Sequence, residues 1–423
     1  MKMKKLLAGV LSATMVATMI PASMAFSGVS AEGTNEDSFV AYYDFTAGET
    51  EGWASYISND MGATWTTGNG NIVADASGIT FKTAGANAYS IENPLKGVVE
   101  DGFTISVNYT IPAEQASAAF GLTSYESVFG FNNHTAWQYW QLSNDGTSIR
   151  SNSDNAYKAW TGTTENPADF YFDLAGSIAT SYDIPCQSTI SVDSTGVRIY
   201  LNGELKQTWT NDDDGVLTDV TLGAADSLDF FNLGMNASGG TWNWVNSMMT
   251  VKDVAFYNSA LSSEQVASLN PEADREAYAK SIADTLNITM RGRQAGTIDG
   301  ETAVRFVANL DQDAINGNEA VTKLGWAAEN GTAVTENATG YMLNTVTSDS
   351  NLAATGKYAY TYVQATEDSV AVLPCVQITV NGNAYWFAYD GISGSAVSTE
   401  ASAVVSAIDV EGVFAAAAEN TLA

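Results

Sequence analysis

Ile190-Ser191-Val192-Asp193-Ser194-Thr195-Gly196-Val197-Arg198-Ile199-Tyr200-Leu201-Asn202-Gly203-Glu204-Leu205 sets the fold class. Ile190 and Val192 alternate with Ser191 and Asp193. Val197, Ile199 and Leu201 alternate with Arg198 and Tyr200. Period two sends successive side chains to opposite faces, so each run reads as a strand with one buried face. Asn202-Gly203 is a strong signal for a two-residue hairpin, whose central residues both need positive φ. Leu205-Lys206-Gln207-Thr208-Trp209 then pairs back on the strand before it.

The same pattern extends in both directions. Upstream, Val40-Ala41-Tyr42-Tyr43-Asp44-Phe45, Gly78 to Lys82 and Phe103 to Tyr109 read as strands, and Thr250 to Tyr257 is another downstream. Short strands with Gly and Asn turns and no intervening helix predict an all-β sandwich. Ser262 and Gln265 form a capping box at the start of a short helix. Pro271, with Glu272 and Asp274 behind it, opens a second helix reaching about Leu286. Beyond Ile288 the strands resume. They are Val304 to Asn309, Lys323 to Ala328, Tyr358 to Val363, and a second Asn-Gly hairpin at Asn381-Gly382 between Val376–Val380 and Ala384–Tyr389. Thr399 to Ile408 reads as a helix. The expected organisation is a signal peptide over 1–31, a sandwich over 32–270, a helical linker over 271–287 and a smaller β-rich module over 288–423.

Composition narrows function. The 423 residues hold 17 Lys+Arg against 48 Asp+Glu, a formal net charge of −31. Such a chain repels phosphate backbones, so nucleic acid is not an expected partner. One histidine, His134, and two cysteines, Cys186 and Cys375, exclude a multi-histidine zinc site, a four-cysteine cluster and a disulfide scaffold. Two free, buried thiols are the expectation. Lys2, Lys4 and Lys5, the apolar run Leu6 to Ile20 and the small-residue exits Ser23-Met24-Ala25 and Val29-Ser30-Ala31 make an export signal. The expected location is therefore secreted or cell-surface associated, with no membrane insertion once the signal is removed. A cysteine-poor exported chain suits a Gram-positive bacterium.

The hairpin quoted above resembles that of laminin G-like, concanavalin A-like domains. Val251-Lys252-Asp253-Val254-Ala255-Phe256-Tyr257-Asn258-Ser259-Ala260-Leu261-Ser262 is similar to the closing strand of that family, and Tyr43-Asp44-Phe45 to its first strand. The matches fall in order over residues 40 to 270. The resemblance implies a two-sheet jelly roll. It also implies carbohydrate as partner, and a structural calcium held by Asp44 and Asp253. Lys252 departs from the family, which often has a second acid there.

Some relatives of this fold are glycosidases, which carry Glu-x-Asp-x-Glu on a strand, so that alternate carboxylates share one face about 5 Å apart. The sandwich region has no such run. Glu272-Ala273-Asp274-Arg275-Glu276 matches in letters, but it opens a helix, where alternate residues diverge; it reads as acids at a helix N-terminus. Non-catalytic recognition is therefore favoured. The alternatives are a glycoside hydrolase or polysaccharide lyase whose site is assembled from separate strands, and an adhesive or structural protein with a protein ligand.

Phe129 to Leu142 is the densest aromatic and amide stretch. Sugar rings present flat C–H faces to aromatic rings and hydroxyls to amides. In Gln138-Tyr139-Trp140-Gln141-Leu142, Leu142 assigns the Trp140 face to the core, which leaves Trp137 and Tyr139 for a ligand. Asn132, Asn133 and Trp160 complete the expected set. Trp242 and Trp244 read as structural. Asn211-Asp212-Asp213-Asp214-Gly215 lacks the closing Glu of an EF-type loop, having Thr221 there, and reads as a solvated turn.

Residues 288 to 410 resemble a β-rich module of unknown activity at the carboxyl end of exported clostridial proteins. The carrying residues are Ile288-Thr289-Met290-Arg291, Thr302 to Phe306 and Leu324-Gly325-Trp326. Arg291, Arg293 and Arg305 stand out here; local ion pairs are favoured over a site for a carboxylate ligand.

Overall fold

The computed structural model describes residues 35–59, 64–68, 71–82, 87–113, 126–134, 138–143, 148–153, 170–173, 183, 185–210, 217–234, 245–246, 248–298, 301–316, 318–331, 340–343, 357–365, 370–390 and 395–410. The chain divides into two compact units, with the boundary between Asp274 and Arg275, inside the helix Pro271–Thr285.

The first unit is a β-sandwich. Among the described residues its back sheet has eight strands, with Gly102–Thr110 near the middle between Cys186–Asp193 and Met249–Tyr257. The front sheet has nine described strands, with Phe230–Leu233 between Glu126–Asn132 and Asn87–Glu92. The alternation read from sequence sets which side chains meet. Phe103, Ile105, Val107 and Tyr109 of the back sheet join Phe129, Phe131, Phe231 and Leu233 of the front sheet in one core. Register pairs Ile190 with Ile199 and Val192 with Val197, so the quoted hairpin puts like beside like. Asn202 and Gly203 have φ of 51° and 77°, as that turn requires.

One helix in this unit departs from the sequence reading. Leu217–Ser227 packs Leu217, Val220, Thr221, Ala224 and Ala225 inward. Those are positions i, i+3, i+4, i+7 and i+8, one helical face. Trp140 donates its indole N–H to Thr221 Oγ1 at 3.0 Å, so the helix supplies the buried tryptophan with an acceptor.

Part of the outer face of the back sheet is covered by the chain's own return. Thr104 Oγ1 donates to Ser259 O and accepts from Leu261 N, both at 2.9 Å, and Ser191 Oγ donates to Leu261 O at 2.9 Å. The capping box of Ser262 and Gln265 is present. Asp274, only 1% exposed, accepts from Tyr257 OH at 2.7 Å and from Asn35 N at 2.8 Å. It is thus a buried hub, where the sequence reading had it only as a first-turn acid.

Among the described residues the second unit has a four-stranded and a five-stranded sheet. Trp326, Tyr360 and Tyr362 are fully buried, with Trp326 and Tyr360 ring centroids 5.1 Å apart. Asn381 and Gly382 repeat the left-handed hairpin turn. The segment read as a helix over Thr399 to Ile408 is instead a short 3-10 turn, Ala401–Ala403, and a strand, Val404–Asp409. That strand pairs with Val321–Ala328, and tertiary pairing of β-branched Val404 and Ile408 overrides the alanine-rich appearance. Cys186 and Cys375 are buried thiols with no disulfide between them, as expected.

Candidate functional site

The front sheet turns its second set of side chains away from the core. Ser90 lies between core residues Tyr89 and Ile91, and Phe230 and Asn232 alternate with core residues Phe231 and Leu233. Register carries the same face to Tyr56, two residues from Ala54, which pairs with Ser90. It continues to Trp65, which pairs with Ser58.

His134 sits on this face. It comes just after the strand Glu126–Asn132 in a left-handed conformation, φ 53°, with its N–H donating to Asn132 Oδ1 at 3.1 Å. That turn aims the imidazole back over the sheet. The ring lies parallel to Phe230, centroids 3.8 Å apart at 3°, and stacks with Trp65 at 4.7 Å and 13°. Tyr56 leans against it at 4.3 Å and 51°. All four side chains are half-buried. Beneath them, His134 Nε2 is 3.3 Å from Ser90 Oγ, and Ser90 Oγ donates to Asn232 Oδ1. Burial pushes the His134 pKa down to about 4, against smaller upward pulls from its bond with Asn232 and the Asp229 charge. The imidazole is neutral at physiological pH.

The expected ligand residues divide around this stack. Asn132 is buried and holds the His134 turn. Asn133 is half-buried and accepts from Asp229 N at 2.7 Å, tying that turn to the approach of Phe230. Trp140 and Leu142 are fully buried, on the face assigned to the core. Tyr139 pairs in register with Asn132, though its side chain is not described. Trp137, Trp160, Trp242, Trp244, the turn at 211–215 and the signal segment 1–31 lie outside the described residues.

The sequence pattern does not single out Trp65, Tyr56, Phe230, Ser90 or Asn232, and marks His134 only as the single histidine. A signal existed for one of them. Phe230 and Phe231 are adjacent in a strand, so one must leave the core.

Asp44 and Asp253, from the first and last strands, are direct cross-strand partners on the outer face of the back sheet. Asp44 Oδ1 accepts from Thr46 N at 2.9 Å, Thr46 Oγ1 at 2.6 Å and Ala47 N at 3.2 Å, capping a 3-10 turn. Asp253 Oδ1 accepts from Asn108 Nδ2 at 2.7 Å. Burial and then the Asp44 charge push the Asp253 pKa up to about 6, against the Asn108 bond. No third His, Cys, Asp or Glu joins them among the described residues, so backbone and other neutral oxygens would have to complete the six to eight that calcium takes.

No family model matches the chain, and no curated protein matches it. Solved structures do resemble it. Domain 4 of AbnA, a GH43 extracellular arabinanase from Geobacillus stearothermophilus in complex with arabinotriose, is 17% identical, covers 55% of this chain and 97% of its own, and has a TM-score of 0.35. The CBM40 of the Ruminococcus gnavus IT-sialidase, bound to α2,3-sialyllactose, is 13% identical over 40% of this chain and 83% of its own, at 0.27. The ligand binding domain of botulinum neurotoxin serotype D, with N-acetylneuraminic acid, is 10% identical over 81% and 86%, at 0.29. Likeness at scores this low assigns no ligand to this chain, whose own residues must carry any such assignment.

Proposed function

We propose that this is a secreted, non-catalytic carbohydrate-binding protein whose ligand lies on the outer face of the front sheet, a polysaccharide being the expected form. The carrying observation is the stack of Trp65, His134 and Phe230 with Tyr56, half-exposed beside the half-buried amide of Asn133. Flat apolar rings beside a few placed polar groups suit a sugar, whose C–H faces stack while its hydroxyls find amides. Recognition is favoured over hydrolysis because Ser90 gives its proton to Asn232, not to His134, and the imidazole is a weak base. The laminin G-like resemblance points the same way. Calcium between Asp44 and Asp253 belongs to this proposal; its support is a close carboxylate pair whose mutual repulsion a dication would relieve.

A glycan array probed with the mature protein, in calcium and in chelator, tests both parts. Binding without product release, weakened about tenfold by Trp65→Ala, supports the reading. Lower affinity or lower Tm in chelator supports calcium. No glycan bound under either condition overturns the carbohydrate reading and favours a protein ligand.

A further inference from the structure

The second unit carries an unusual pairing of charge. Strands Thr289–Ile298 and Glu301–Asp311 form an antiparallel hairpin, in which Gln294 lies opposite Arg305 and Gly292 opposite Val307. Between Met290 and Gly292 the register shifts by a β-bulge, with Arg291 as the extra residue. Gly292 has φ 148°, a conformation that favours glycine, and the bulge depends on it. In such a bulge the extra side chain is re-aimed toward the face of its partner strand position. Here that is the face of Val307, and therefore of Arg305 and Gln294. Arg293 pairs with Phe306 and belongs to the opposite face.

Arg305 is half-buried. Its Nη2 donates to Gln294 Oε1, and its Nε is buried with no partner. Burial, and to a lesser degree the Arg291 charge, pushes the Arg305 pKa down. Among the described residues no carboxylate pairs with Arg291, Arg293 or Arg305. The sequence reading favoured local ion pairs for these arginines, and the described structure shows none. Arg291 and Arg305 thus lie on one sheet face, close enough for the charge of one to act on the other, with no carboxylate paired to either among the described residues, in a chain with 48 acidic residues. Like charges at neighbouring sheet positions destabilise. A donor buried without a partner adds to the cost.

The geometry points to an anion site on this face, in which Arg291 and Arg305, with the amide of Gln294, hold the carboxylate of a ligand. A planar carboxylate matches a guanidinium fork, and Gln294 has its Oε1 occupied, leaving its NH2 as a further donor. The carboxylate can belong to a free acid or to an acidic residue of a polymer; the chemistry at the site is the same. This site is separate from the front-sheet stack and does not depend on a sugar binding there.

The full mature chain would be titrated calorimetrically at low salt with sodium glucuronate, with a glucuronate-containing polysaccharide, and with glucose as the uncharged match. Glucuronate binding that glucose does not reproduce, weakened about tenfold by Arg291→Gln, is the expected result. Preference for the polymer assigns the carboxylate to a chain, and equal affinity per carboxylate assigns it to the free acid. Arg291 is exposed, so its variant folds. Without ligand, Arg291→Gln should match or exceed the parent in Tm, since it removes a repulsion. Arg293→Gln, on the opposite face, should bind as the parent does. The proposal is overturned if glucuronate binds no better than glucose, if Arg291→Gln leaves the affinity unchanged or lowers the ligand-free Tm, or if Arg293→Gln weakens binding equally.

Discussion

The two outer faces of the sandwich begin from the same rule and end differently. On each sheet alternate residues leave the core, and on each the outward set includes hydroxyls and amides. On the back sheet the chain returns over part of them through Ser259, Leu261 and Asp274, where Thr104, Ser191 and Tyr257 find protein partners. On the front sheet aromatic rings stack on one another at Trp65, His134 and Phe230 and stay half-exposed. A polar outward face by itself therefore identifies no site. What marks one is a face that keeps large rings half-exposed at its surface.

The sharpest break of this contrast is Asp274→Ala. It strips the acceptor from Tyr257 OH and Asn35 N in a buried position. The expected loss is about 3 kcal/mol or more, read by urea unfolding. Glycan binding by the folded fraction should be unchanged. A loss within about 0.5 kcal/mol would mean that Asp274 is an ordinary solvated acid and that the cover is loosely held.

Asp253→Asn tests the back sheet from its other end. The folded Asp253 pKa is raised from 3.8 to about 6, so the fold prefers the protonated acid, and ionisation penalises the fold as pH climbs through that window. In chelator at pH 7 the asparagine variant should gain stability, at most about 3 kcal/mol. The gain should vanish below about pH 4. Saturating calcium should stabilise the parent more than the variant if the pair holds the ion. A variant no more stable than the parent at pH 7 in chelator would show the carboxylate to be well solvated.

Trp65→Ala probes the open face. Removing one ring of the stack should weaken glycan binding about tenfold, on the order of 1.4 kcal/mol. Its stability cost should be smaller than that of Asp274→Ala, because the ring is half-exposed. Unchanged binding with intact folding would move the ligand off this face.

How much of this was legible in the sequence depends on the range of each interaction. The strands at 102–110 and 186–201 were readable because alternation and the Asn202-Gly203 turn are local. The helix Leu217–Ser227 carried a readable face at Leu217, Val220, Thr221, Ala224 and Ala225, obscured by its threonines and its glycine. Val404–Asp409 was misread because its partner strand, Val321–Ala328, is remote in sequence. The front-sheet stack joins Tyr56, Trp65, His134 and Phe230 from four segments, and its assembly depends on strand order that no local pattern carries. Asp44 and Asp253 were paired by resemblance, and register places them opposite each other.

His134 connects the open face to pH. Its folded pKa is lowered from 6.5 to about 4, chiefly by burial. A depressed histidine contributes stability that is fully present above its unfolded value and is lost as pH falls through the folded one. Discounted for the exposed part of the ring, the contribution is about 1 kcal/mol. Asp253 acts in the opposite sense across nearly the same interval, so the parent's stability between about pH 4 and pH 6.5 should look flatter than either group alone would make it. His134→Asn separates the two. Asparagine tolerates the left-handed backbone, so the turn survives, while the stack and the titrating ring are both lost. The parent should exceed this variant at pH 7, and its advantage should shrink by about 1 kcal/mol by pH 4. An advantage constant with pH would mean that the ring titrates as it does in water, and that the stack on the front sheet is more open than its geometry implies.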